Sequence, residues 1–277
     1  MWGRKSSAPQ GRAGLAERRR RSRHRGLIAL NILLGIISGV LVWGLQQSAV
    51  RIARVDVYSA GPSFAEYAKR AMQGSYFGII PRDSIFFFPA SGIRSTILAE
   101  HPDLAAVSIF RNGLTSISIK TNDRAPIARW CGLSPSGPDV DEYCYLFDAS
   151  GVIFSAALAT STTINTFRLY APLEGDTLEP LRATLANAEK LPATFDFARQ
   201  LDTLGSPVTR VVLRGDEVDD YLVSGTRVTY VLAHEQEAFT ALVSGRANFN
   251  LADGSIDYID LRFDGKVYVK KVVGSRE

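Results

Sequence analysis

Apolar positions along this chain form one unbroken run near the N-terminus and then recur at strand and helix spacings. Residues 26–45, GLIALNILLGIISGVLVWGL, carry no charged side chain. At about 1.5 Å rise per residue, a helix of that length spans ~30 Å, the thickness of a hydrocarbon core. The run predicts a transmembrane helix with Leu27 near one boundary and Trp43 at the other, where interfacial aromatics belong. Asn31 and Ser38 can bond within it. A secretory signal peptide also begins with a basic region, but its apolar core is shorter, about 7–15 residues, and a small-residue cleavage site follows. QQSAV, residues 46–50, matches such a site only weakly, so the uncleaved anchor is the preferred reading.

Alternation then takes over. Ile52, Val55 and Val57 mark a short strand in residues 51–60; Pro62 and Ser63 start a helix with Phe64, Tyr67, Ala68 and Ala71 at helical spacing. After the aromatic connection GSYFGIIPRDSIFFFP, a second helix is expected, capped by Ser91, striped by Ile93, Ile97 and Leu98, and ended by Pro102. Strands LAAVSIFRN and TSISIKT follow, joined at Asn112-Gly113, a strong hairpin signal. The order strand, helix, helix, strand, strand predicts a small α+β domain over residues 46–123, with both helices on one face of a three-stranded sheet.

From residue 124 to 277, strand-like runs dominate: APIARW, YCYLFDASGVIFSAAL, TFRLYAP, TRVVLRG, DYLVSGTRVTYVLA and the terminal YIDLRFDGKVYVKK. Asp148-Ala149-Ser150-Gly151 reads as a hairpin turn. Two helical patterns interrupt the strands, one on Leu178, Leu181, Leu185 and Ala188, the other on Ala238, Phe239, Leu242 and Val243. A mostly antiparallel β domain with two helices is expected. The fold class is therefore α+β, with a basic tail (residues 1–25), a transmembrane helix (26–45) and two domains.

Charge sharpens this picture. Of 32 basic and 28 acidic side chains, residues 1–25 hold nine and one, leaving 23 and 27 for the rest, so the net +4 belongs to the tail. A mildly acidic body is a poor surface for nucleic-acid phosphates. RRRRSRHR, residues 18–25, abuts the apolar run, whereas the other flank has only Arg51 and Arg54 nearby. The positive-inside rule keeps the tail in the cytoplasm and exports the chain from about residue 46 onward, the topology of a single-pass type II protein. The two cysteines, Cys131 and Cys144, bracket the Gly-, Pro- and Ser-rich GLSPSGPDVDEY. In an oxidising compartment they would staple the base of that loop; two free buried thiols are the alternative.

Catalytic signals are sparse. Of three histidines, His24 belongs to the tail, His101 precedes Pro102, and His234 opens a helical pattern where capping or surface exposure is ordinary. HExxH, GxSxG, GxGxxG and Walker patterns are missing from the sequence, so no cofactor, metal or small-molecule substrate is indicated. GDEVDD, residues 215–220, groups four acids, which reads as a solvated loop sooner than as an acid/base pair.

The order of the first domain resembles a POTRA module. The stretch HPDLAAVSIFRNGLTSISIKTNDRAPIARW is similar to the one that closes that module in the FtsQ/DivIB family of bacterial cell-division proteins, with Pro102, Asp123-Arg124, Pro126 and Trp130 at the matching positions. LFDASGVIF and IDLRFDGKVYVKK resemble two further segments of the family's β domain. Departures are the loop between the cysteines and the unusually aromatic connection between the first two helices. The resemblance implies a non-enzymatic scaffold at the division septum of the inner membrane, recruiting partners that resemble FtsB and FtsL, with the POTRA-like domain taking part in recruitment. A membrane-anchored POTRA protein handling exported polypeptides is the alternative.

The terminal run raises a separate expectation. Val267 and Val269 alternate with Tyr268 and Lys270 in the last strand available to its sheet. At an edge, its free N–H and C=O groups form a template for a partner strand; as a central strand they do not. Lys266, Lys270 and Lys271 would discourage indiscriminate pairing and attract an acidic partner. In the family, partners dock in this part by strand addition, which by position implies Phe263, Lys266, Val267, Tyr268 and Val269 as partner-binding residues.

Overall fold

A computed structural model of the protein describes residues 11–58, 63–135, 143–175 and 179–272, with residues 11–23 described by their backbone alone. The first element is a continuous helix, α1 (Gly11–Leu45), which carries the helical backbone upstream through the part of the tail that it includes. Its segment His24–Leu45, of mean hydropathy 2.3, has none of its apolar window buried and is long and apolar enough to cross a membrane. Leu27 and Trp43 are exposed at its two ends. Asn31 donates its amide to the Leu27 carbonyl (2.8 Å), which satisfies the side chain within the helix.

The described residues form two compact units, one of those through Ala99 plus Val107–Thr121, the other of Glu100–Ala106 plus those from Asn122 onward. In the first, β1 (Arg54–Tyr58) leads to α2 (Ser63–Ala71), a short hairpin of β2 (Ser75–Tyr76) and β3 (Ile80–Pro81), α3 (Ala90–Glu100), and the larger parts of β4 (Leu104–Arg111) and β5 (Ser116–Asp123). The sheet runs β1-β5-β4. β1 and β5 are parallel, Val55 opposite Ile117 and Val57 opposite Ile119, a pairing that needs a long crossover, here supplied by the two helices. Phe64, Ala68, Met72, Ile93, Ile97, Val107, Ile117 and Ile119 are buried as this unit's core.

Two local expectations change. Ser91 lies inside the first turn of α3, whose first bond runs from the Ile93 N–H to the Pro89 carbonyl (2.9 Å), so it is not the cap. The aromatic connection is not a plain loop, because it folds into the β2–β3 hairpin. Pro62, one of the two residues read as starting α2, lies outside the described residues.

The second unit is built from β6 (Ala128–Trp130), β7 (Tyr145–Phe147), β8 (Ile153–Ala156), β9 (Arg168–Tyr170), α4 (Leu191–Thr203), β10 (Val208–Arg214), β11 (Glu217–Leu222), β12 (Arg227–Val231), α5 (Glu235–Gly245), β13 (Ile256–Asp260) and β14 (Tyr268–Lys271). Its nine-stranded sheet has the order β14-β13-β12-β11-β10-β9-β6-β7-β8. The sheet is mixed. β6/β9, β9/β10 and β12/β13 are parallel and the other junctions antiparallel. α4 and α5 each occupy a crossover, between β9 and β10 and between β12 and β13, which is why those two junctions are parallel.

The helices cover one face of the sheet. Leu169, Val211, Leu213, Val218, Val228, Tyr230 and Ile259 point to them and form one core with Phe195, Phe197, Ala198, Leu201 and Leu242. The stripe expected on Ala238 and Leu242 is buried in α5, with Phe239 half-buried against the same core. On the opposite face Cys131, Tyr170 and Val212 form a small cluster against Cys144 and Tyr221, and Cys131 and Cys144 are joined by a disulfide. Residues 136–142 of the loop between them lie outside the described residues.

The helix expected on Leu181, Leu185 and Ala188 does not form, and Leu178 lies outside the described residues. Arg182 (φ 72°) and Asn187 (φ 57°) adopt left-handed backbone, which no helix continues through, and Thr184 and Leu185 bridge to Val152 and Leu173 instead. The helix starts after them, at Leu191, with Pro192 in its first turn where a missing N–H does no harm. Leu191, Phe195, Ala198 and Leu201 give it a buried stripe.

The turn expected at residues 148–151 does form, the Gly151 N–H donating to the Asp148 carbonyl (2.9 Å). Gly151 has φ 78°, and a Cβ there would lie 2.5 Å from the Ala188 Cβ, so both the backbone and the space require glycine.

Candidate docking edge

β14 is the terminal strand of the sheet, and all four of its residues are exposed. Among the described residues only β13 pairs with it, Tyr258 opposite Lys270 and Asp260 opposite Tyr268. The Val272 N–H donates inward to the Ser255 carbonyl (2.9 Å). Because successive residues of an antiparallel strand turn their backbone groups to opposite sides, Val269 and Lys271 direct N–H and C=O away from the sheet. Those groups are the template that an incoming strand needs.

The five residues expected to bind a partner do not act alike. Phe263, Tyr268 and Val269 are exposed, and the Phe263 and Tyr268 rings meet edge to face at 5.3 Å. Lys266 sits in the preceding turn, its N–H donating to the Phe263 carbonyl (3.0 Å). Val267 also precedes the strand, and it is half-buried against the helix-side core, with a methyl 3.7 Å from where a Cβ on Gly245 would lie. Val267 therefore holds the turn to α5 more than it faces outward. Between that turn and α5 runs an open groove of about 590 Å³ lined by Glu237, Ala241, Ser244, Gly265 and Val267. Lys270 is already engaged by Asp257 (2.9 Å), which raises the ammonium's pKa, so less of its charge is left for a partner than the sequence suggests.

Arg262 fixes the base of the turn. Its Nε and Nη2 donate to the two oxygens of Asp260 (2.9 and 2.7 Å) and its Nη1 to Glu217 (2.5 Å). These hydrogen bonds hold the Asp260 carboxyl below its usual range and push the guanidinium up. No role was legible for Arg262 in the sequence, although the Asp-Leu-Arg triplet places two opposite charges on the same side of the strand end.

A second feature needs the register to be seen. Arg129, Arg168, Arg210, Tyr221, Arg227, Tyr258 and Lys270 stand opposite one another in a single row across seven strands. Arg210 lies over Tyr221 (4.7 Å), and Arg227 and Lys270 both lie 5.4 Å from the Tyr258 ring centre. Such cation–π contacts ease the placing of cations on adjacent strands. The row ends at the exposed edge, so the body's mild net acidity conceals one cationic stripe leading to β14.

The acids of residues 215–220 are not a solvated loop. Only Gly215 and Asp216 form the turn, and Asp219 and Asp220 are buried in β11. Asp219 faces away from the helices, accepting from Thr229 Oγ1 (2.6 Å) and pairing with Arg214. Asp220 points under the helices beside Tyr230, and neither of its oxygens has a well-formed hydrogen bond among the described residues. Burial pushes its carboxyl well above the usual range; the Tyr230 hydroxyl offsets this only in part, while Asp219 and Glu235 push it further. A raised folded pKa means that stability is complete below the unfolded value of about 4 and falls as pH rises through the folded one. Asp220→Asn is expected to abolish that decline and to stabilise the fold by about 1–3 kcal/mol at neutral pH. Urea unfolding of both proteins from pH 4 to 8 measures this, and parallel curves would contradict it.

The histidines remain apart from any such cluster. His234 immediately precedes α5, exposed, and its side chain makes no capping bond; His101 lies 3.8 Å from Asp103. Among the described residues no group of three or more His, Cys, Asp or Glu is placed to hold a metal ion. No protein-family model matches the chain, and no characterised protein matches it significantly.

Proposed function

We propose that this protein is a non-enzymatic, single-pass membrane scaffold of the bacterial cell-division machinery, with α1 in the inner membrane, the basic tail in the cytoplasm and both units outside. It bridges division proteins resembling FtsB and FtsL at the septum by accepting a strand from one of them on β14. The observation that carries this reading is the exposed terminal strand whose outward backbone groups, at Val269 and Lys271, have no neighbour among the described residues. Lys270 at the edge is paired with Asp257, so it is Arg227, two strands in from the edge in the cationic row, that favours an acidic partner segment. Tethering both proteins in one bilayer converts their second contact into a nearly intramolecular one, so modest contacts suffice for a stable complex. The similarity of the motifs around Arg124, Asp148 and Arg262 to the FtsQ/DivIB pattern supports division over other envelope roles.

Depletion of the protein in growing cells, with a fluorescent fusion restoring it, tests this reading. Filamenting cells and a fusion concentrated at midcell are expected. Accumulated secretory precursors with a uniform membrane signal would instead assign the protein to the handling of exported polypeptides.

A further inference from the structure

The β2–β3 hairpin ends in apolar side chains. Phe77 is 97% exposed and Ile79 52% exposed at a tip closed by the Ile79 N–H donating to the Tyr76 carbonyl (3.1 Å). Phe77 (φ 52°) and Gly78 (φ 73°) occupy the two central positions of that turn, both in left-handed backbone. This turn favours Asn or Gly at its first position, where a large side chain is strained. A bulky apolar residue therefore sits at the one position that neither the turn nor solvation favours.

The hairpin's surroundings indicate what covers it. Its base is clamped to the chain just after α1: the Ile52 N–H donates to the Asp83 carbonyl (2.7 Å), the Ile85 N–H to the Val50 carbonyl (3.0 Å), and Arg51 pairs with Asp83 (2.6 Å). β3 lies against α1. In the last turn of that helix Val42 and Leu45 are half-buried, whereas its upstream apolar residues are exposed. The hairpin is thus rooted where the apolar helix ends. Tyr76, with Arg82 5.0 Å over its ring, supplies the aromatic and cationic pair that suits a bilayer interface.

We infer that the hairpin tip, Phe77 and Ile79, inserts into the outer leaflet of the membrane beside α1. This inference rests on the reading that α1 spans the bilayer. The hairpin and helix together form a two-point anchor that fixes the tilt of the first unit on the lipid surface, where a single helix followed by a flexible joint would leave it free. A lipid occupant fits better than a protein one because the hairpin lies against an exposed apolar helix and its tip presents side chains without a directional polar group.

Nitroxide labelling of the full chain in phosphatidylethanolamine–phosphatidylglycerol vesicles tests this. The two native cysteines are disulfide-bonded and do not take the label. Labels at Phe77→Cys, at Ile37→Cys within α1, and at Lys120→Cys, opposite Tyr58 at the far end of β1, are compared for collision with oxygen and with a water-soluble nickel chelate. Ile79→Cys repeats the reading at a position of ordinary backbone. The expected result is an oxygen-favoured label at 77 and 79, as at 37, with a nickel-favoured label at 120. Nickel-favoured labels at 77 and 79 with an oxygen-favoured label at 37 would overturn the inference and leave the anchor standing. A nickel-favoured label at 37 would overturn both.

Discussion

Val269→Pro is expected to weaken partner binding about 10–100-fold while leaving the second unit folded. The Val269 N–H points away from β13, so proline there removes no bond of the sheet's own ladder, and edge strands tolerate proline at such positions. For an arriving strand the same change deletes one donor and puts a ring in its path. A lost hydrogen bond and the unpaired partner carbonyl together cost about 1.5–3 kcal/mol, on the order of the stated factor. Lys270→Pro makes the control, because the Lys270 backbone turns inward toward β13; it should lower thermal stability as well as binding. If Val269→Pro bound its partner as tightly as the parent protein, strand addition at β14 would be wrong.

The second large effect concerns the scaffold behind that edge. Asp148→Ala is expected to destabilise the second unit by about 3 kcal/mol, since removing one partner of a largely buried pair strands the other. Arg124, 18% exposed, reaches Asp148, 12% exposed, and also donates Nε to the Pro102 carbonyl (3.1 Å). The same carboxylate accepts from the Ser150 N–H (2.9 Å), the Ser150 hydroxyl (2.6 Å) and the Val152 N–H (3.1 Å). Burial alone would raise the Asp148 pKa, but the bonds from Ser150, Arg124 and Val152 outweigh it and hold the carboxyl below its usual range. Its contribution is therefore complete above the unfolded pKa of about 4 and is lost as pH falls through the lower folded value. Guanidinium unfolding followed at the buried Trp130 should show the loss at pH 7 and a smaller one at pH 3. A difference below about 1 kcal/mol at pH 7 would show that water replaces the pair without cost.

Legibility of the fold in the sequence followed the length of its signals. The apolar run of α1, the Asn112-Gly113 turn, the Asp148–Gly151 turn and the alternating strands were visible because each is specified by neighbours in the chain. Leu181 to Ala188 have helical spacing of apolar residues but no helix, because Pro180 comes just before and Arg182 and Asn187 take left-handed backbone. The burial of Asp219 and Asp220 was hidden because their strand lies in the middle of the sheet, a fact set by pairing with β10 and β12. Register likewise made the cationic row unreadable, since its seven members come from seven separate strands. At the candidate edge, Tyr268 and Val269 lie exposed on β14 and Phe263 is exposed in the segment before it, whereas Val267 turns inward because α5 supplies a half-buried groove for it.

Strand addition at β14 is open to direct measurement in the living cell. A photoreactive benzoylphenylalanine at position 269, activated in dividing cells that express the full chain, measures this directly. The predicted result is a specific crosslink to a single-pass division protein, lost when the partner's extended segment is deleted and missing from the same probe at Lys120. Crosslinks confined to this chain, or equal capture from both positions, would contradict it.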